Sequence, residues 1–170
     1  MGRTLSKPAV YFATAGFLVV AAYAALGALQ ILVLNPLAAA PGLSLDEIQL
    51  ALGAAGESAS PVPVIVFVGL GLLLAGAVGA YSIAAPKASA VRVTALMLLI
   101  IAFGAPAYFA ASFSMGMSLA DTFLISGGDH SHWSILLYAT SATALACALA
   151  LPLMSVLRTR SNGFAARPTS

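Results

Sequence analysis

Charge is the first thing this chain lacks. Seven basic and five acidic residues make up about 7% of its 170 positions, while 61% are hydrophobic; soluble domains carry roughly 25% charged residues. A water-facing surface cannot be built around most of such a chain, so lipid must solvate it. Cysteine is almost missing as well. Cys147 is the only one and falls inside an apolar run, which excludes an internal disulfide, a CxxC redox pair and a cysteine-based zinc site.

The four long apolar runs carry no Asp, Glu, Lys, Arg or His near their centres, whereas coupled carriers, proton relays and voltage sensors depend on such residues. A coupled transporter acting alone is therefore not expected. The two histidines, His130 and His132, sit close together beyond the third run, so they cannot hold a haem from facing helices. Intramembrane acid–base chemistry on a quinone has no residues to perform it. With no complete catalytic motif anywhere, the sequence points away from an enzyme.

The charge that is present is strictly sorted. Arg3 and Lys7 precede the first run, Lys87 and Arg92 separate the second from the third, and Arg158, Arg160 and Arg167 follow the fourth. Asp46, Glu47 and Glu57 lie between the first and second runs, and Asp121, Asp129, His130 and His132 between the third and fourth. Basic residues mark the cytoplasmic side of membrane helices. The expected fold is thus an all-α membrane protein of four transmembrane helices arranged as two antiparallel hairpins, with both termini cytoplasmic, in a bacterial inner membrane. The basic ends suit the anionic inner leaflet rather than nucleic acid.

The spans are expected at about 8–34, 63–85, 91–113 and 133–157, forming one domain, with a flexible basic cytoplasmic tail over 158–170. Asn35-Pro36 is expected to end the first span and Pro86-Lys87 the second. The first run, Val10 to Leu34, is too long for the roughly 7 to 15 residues of a signal-peptide core, so an uncleaved helix is expected despite Ala38-Ala39-Ala40 beyond it. The basic link between the second and third spans makes those two helices antiparallel neighbours. Trp133 suits the outer interface of the fourth span.

The two outer loops resemble each other. Ser44-Leu45-Asp46-Glu47 matches the S-x-x-E capping box, and Ser118-Leu119-Ala120-Asp121 is its near relative, so each loop is expected to open a short helix at the membrane surface. Gly127-Gly128 would stop the second. Small residues recur every four positions as Gly76, Ala80 and Ala84 in the second span and as Ala142, Ala146 and Ala150 in the fourth. Such ridges let another helix approach closely, either inside the bundle or from a partner. Pro106 removes a backbone donor and frees a carbonyl near Ala102, giving the third span a kink.

One segment gathers ligand-type side chains: Asp129, His130 and His132, with Met115 and Met117 upstream. Imidazoles, thioethers and a carboxylate suit copper or zinc. Two histidines and one carboxylate are nevertheless short of a four-ligand structural site. The simpler role for Asp129 or Ser131 is to cap the fourth helix, with the histidines at the wet interface.

The chain therefore reads as a non-catalytic accessory or scaffolding subunit of a larger bacterial membrane complex, for example a respiratory assembly of the oxidase type, without a cofactor of its own. Its partners would be lipid, other membrane subunits at the small-residue faces, and a periplasmic protein at the acidic loops. An oligomeric transporter or channel subunit lined by Pro106 and backbone carbonyls is the alternative. Copper or zinc handling through the last outer loop is the third.

Overall fold

The computed structural model describes residues 7–58, 60–85 and 88–165, with side chains described as far as position 152. Seven α-helices follow one another: α1 (Lys7–Leu29), α2 (Asn35–Ala39), α3 (Leu45–Ala54), α4 (Val62–Ala84), α5 (Ala90–Ala102), α6 (Gly104–Phe123) and α7 (Trp133–Ala165). A π-helical turn, Gln30–Leu34, joins α1 to α2. Among the described residues, four stretches are long and apolar enough to cross a membrane: Lys7–Ala39, Val62–Ala84, Ala90–Phe123 and Trp133–Pro152. No strand occurs among the described residues.

α1 organises the packing because its inner face is nearly free of bulk. Apart from Tyr23, its buried residues are small or short: Ala9, Ala13, Val20, Ala24 and Gly27, so neighbouring helices come close. A Cβ added to Gly16 would lie 2.5 Å from Met97 Cγ on α5, and one added to Gly27 would lie 2.7 Å from Phe67 Cε1 on α4. α1 thereby sits between α4 and α5, while α7 packs against the far side of α5. α6 completes the bundle against α4 and α7.

Several boundaries differ from those the sequence suggested. Asn35-Pro36 does not end the first span, which stays helical to Ala39. The π turn absorbs the proline: the Asn35 amide bonds back to the Gln30 carbonyl, and the extra residue shifts the ladder just ahead of the position that has no donor. No separate helix starts at Ser118, which lies inside α6. Its buried hydroxyl donates to Glu57 Oε2 at 2.9 Å, so it braces the two acidic segments against each other instead of capping. The helix stops at Leu124, left-handed with φ 54°, before Gly127-Gly128 is reached. α7 is helical to Ala165, beyond the 157 expected as its end; 166–170 lie outside the described residues.

α3 does open on the expected motif. The Ser44 amide and hydroxyl each donate to Glu47 Oε2 at 2.7 Å, and the Glu47 amide returns a bond to Ser44 Oγ at 3.3 Å. These donors, the amide first and the hydroxyl second, hold the Glu47 carboxyl below its ordinary pKa.

Candidate functional site

The end of the bundle that carries the acidic residues also holds two buried amide side chains. Gln30 is 0% exposed and Asn35 4%. A buried amide without partners costs several kcal/mol in an apolar setting, so these two side chains dictate what must pack on them. Asn35 Oδ1 accepts from the His130 amide at 2.6 Å and the Ser131 amide at 3.4 Å. Gln30 Nε2 donates to the Ser131 carbonyl at 3.4 Å. Residues 124–132 are thereby drawn down against the π turn.

The same segment delivers a carboxylate. The Tyr108 hydroxyl, on a ring that is fully buried, donates to Asp129 Oδ1 at 2.7 Å. Tyr138 donates to Oδ2 at 3.4 Å, and the two tyrosine rings meet edge to face with centroids 5.6 Å apart. Glycine makes the approach possible: a Cβ on Gly116 would lie 2.6 Å from the Gly127 carbonyl oxygen. Between α6, α7, Asn35 and this segment lies a small cavity of about 150 Å³, walled by Phe109, Phe113 and Tyr138 with Asp129 at its edge.

A second, larger cavity of about 480 Å³ opens among α1, α4, α5 and α6, with Tyr23, Phe67, Leu74, Leu99 and Gly104 on its walls. It borders the break at Phe103, where α5 ends and α6 begins. Pro106, in the first turn of α6, has no amide hydrogen to continue the ladder. Ser141 of α7 donates to the Ile101 carbonyl at 2.8 Å, and with its only proton spent there it accepts from Tyr23 Oη at 3.0 Å. A hydroxyl from a neighbouring helix thus bonds a carbonyl beside the helix break. The cavity keeps an apolar wall.

The candidate metal residues do not converge. Met115 is buried in α6, Met117 is exposed beside Gly127, and Asp129 is occupied by the two tyrosines. His130 Nε2 pairs with the Ser126 carbonyl at 2.9 Å, while His132 is exposed. Among the described residues no three His, Cys, Asp or Glu side chains gather into one group. The start of α7 is served by Ser131, whose hydroxyl accepts from the Trp133 amide at 3.4 Å; Asp129 turns elsewhere. The small-residue ridges both face outward: Gly76, Ala80 and Ala84 on α4, and Ala142, Ala146 and Ala150 on α7, are exposed.

Sequence reasoning overlooked Gln30, Asn35, Tyr108 and Tyr138. Two amide side chains within six residues, at the end of an apolar run, were the available signal. No protein-family model, curated protein or solved structure matches the chain.

Proposed function

We propose that this protein is a non-catalytic accessory subunit of a bacterial plasma membrane, with both termini in the cytoplasm, which packs by its flanks against other membrane proteins. The observation that carries this reading is the outward face of both small-residue ridges. α4 and α7 flank the central α1–α5 pair, and a Cβ at Gly76 would touch nothing within 4 Å. Two flat faces pointing away from the bundle suit helix partners on either side. The sorting of charge supplies the orientation.

Purification from native membranes in mild detergent, with identification of co-eluting chains, tests the proposal. Unrelated membrane subunits should co-elute, and Ala80→Leu together with Ala146→Leu should release them while leaving the monomer folded. A chain that elutes alone, or partners that persist in the double variant, would count against it.

The larger cavity favours a second reading, a binder of a lipophilic molecule. Its apolar wall suits hydrocarbon rather than a path for ions. Gly71→Leu, at a position whose added Cβ would lie 3.7 Å from Val20 Cγ1, should displace any co-purifying lipophile seen by native mass spectrometry. Identical adducts on both proteins would refute it.

A further inference from the structure

We propose that the small cavity beside Asp129 is a binding site for an alkylammonium group. The reading is independent of the accessory role and goes beyond it.

Asp129 carries an exposed negative charge at the edge of the cavity. Among the described side chains the only lysine and arginine are Lys7 and Arg92, which begin α1 and α5 at the opposite end of the bundle. His130, the nearest imidazole in sequence, turns Nε2 to the Ser126 carbonyl. The Asp129 carboxylate therefore meets tyrosine hydroxyls on both oxygens and no cation among the described side chains. Those hydroxyls fix its direction. They do not neutralise it.

The wall of the cavity gives the chemical class. Phe109 and Phe113 stand with centroids 6.1 Å apart at 58°, and Tyr138 supplies a third ring. Aromatic faces around a single carboxylate attract an organic ammonium through the ring quadrupole as well as the charge. A metal ion fits worse, because it requires several oxygen, nitrogen or sulfur ligands at close range. Among the described residues no three His, Cys, Asp or Glu side chains gather to supply them. The volume of about 150 Å³ limits the occupant to a small head such as choline or ethanolamine, whether free or as the headgroup of a lipid. Gly116 and Gly127 keep the site closed on one side, since a side chain at 116 would push the Asp129 segment off α6.

The test uses the full chain in nanodiscs of phosphatidylglycerol alone, titrated with choline by calorimetry. Saturable binding is expected, weakened at least about tenfold by Asp129→Asn. Asparagine still accepts the Tyr108 hydrogen bond, so the fold is kept while the charge is removed. Phe113→Leu, at an exposed position, removes one aromatic face without touching that bond and should weaken binding about fivefold; it serves if the asparagine variant does not fold. Asp121→Asn, on the exposed side of α6, should leave binding unchanged and so excludes a general effect of negative charge. Native mass spectrometry of protein from membranes containing phosphatidylethanolamine separates the two sources. Retained phosphatidylethanolamine, lost in Asp129→Asn, identifies the lipid headgroup, whereas choline binding without retained lipid identifies a free amine. No saturable choline binding together with no Asp129-dependent lipid overturns the proposal, as does equal binding by wild type and Asp129→Asn.

Discussion

At the scale of single residues, the decisive feature is that one amide oxygen holds two backbone donors. Asn35 Oδ1 is the acceptor for both the His130 and Ser131 amides. Removing it strands two donors, one of them on a buried residue, and an unsatisfied buried group costs about 1 to 3 kcal/mol. Asn35→Ala should therefore destabilise the protein by about that amount in detergent unfolding. Hydrogen exchange should show the His130 and Ser131 amides losing protection first. The comparison is Thr14→Ala, an exposed hydroxyl that bonds only its own helix at Val10, expected to fall within about 0.5 kcal/mol of wild type. If Asn35→Ala behaves like Thr14→Ala, the segment is held by something else.

At the scale of elements, two helix ends show opposite economies. α6 terminates on a left-handed leucine that is 91% exposed, and a non-glycine residue in that conformation costs roughly 1 to 2 kcal/mol. Leu124 makes no buried contact in return, so Leu124→Gly should stabilise the protein by about 1 kcal/mol, partly offset by the chain entropy of glycine. An unchanged or lower midpoint in thermal unfolding would contradict the assignment of strain. The start of α3 is instead well provided. Its Glu47 carboxyl has a pKa depressed in the folded chain by the Ser44 amide and hydroxyl. A depressed folded value means stabilisation that is present above the unfolded carboxyl's pKa and lost as pH falls through the lower, folded value. Protection of the Ser44 amide should accordingly be full at neutral pH and disappear in acid, and Glu47→Gln should flatten that dependence.

At the scale of the whole molecule, orientation decides which compartment each end of the bundle meets. If basic residues mark the cytoplasmic side, cysteines placed at Ser60 and Ser126 in a Cys147→Ala background should react with an impermeant thiol reagent in intact cells. Cysteines at Ser89 and Ser161 should stay protected until the cells are opened. Labelling of the second pair in sealed cells would invert the topology and move the ammonium cavity to the cytoplasmic face. Sizing separates the remaining alternatives: co-elution with unrelated subunits fits an accessory role, whereas a closed homo-oligomer fits a channel or transporter subunit.

The helical class and the four apolar stretches are legible in the linear chain, because hydropathy and the near absence of charge act locally and need no knowledge of neighbours. So are the capping box at Ser44 and the break near Pro106, since both arise within a few residues of one helix. Asn35-Pro36 is a helix-ending pair in one dimension, yet the span continues, because buried Gln30 and Asn35 find partners only if the helix runs on through a π turn to meet residues 130 and 131. Likewise, Asp129 looked like a cap or a metal ligand in one dimension. Its role depends on Tyr108 and Tyr138, which stand 21 and 9 positions away. No local pattern records a pairing across such distances, because it exists only once α6 and α7 have packed and Gly116 has let the Asp129 segment close upon them.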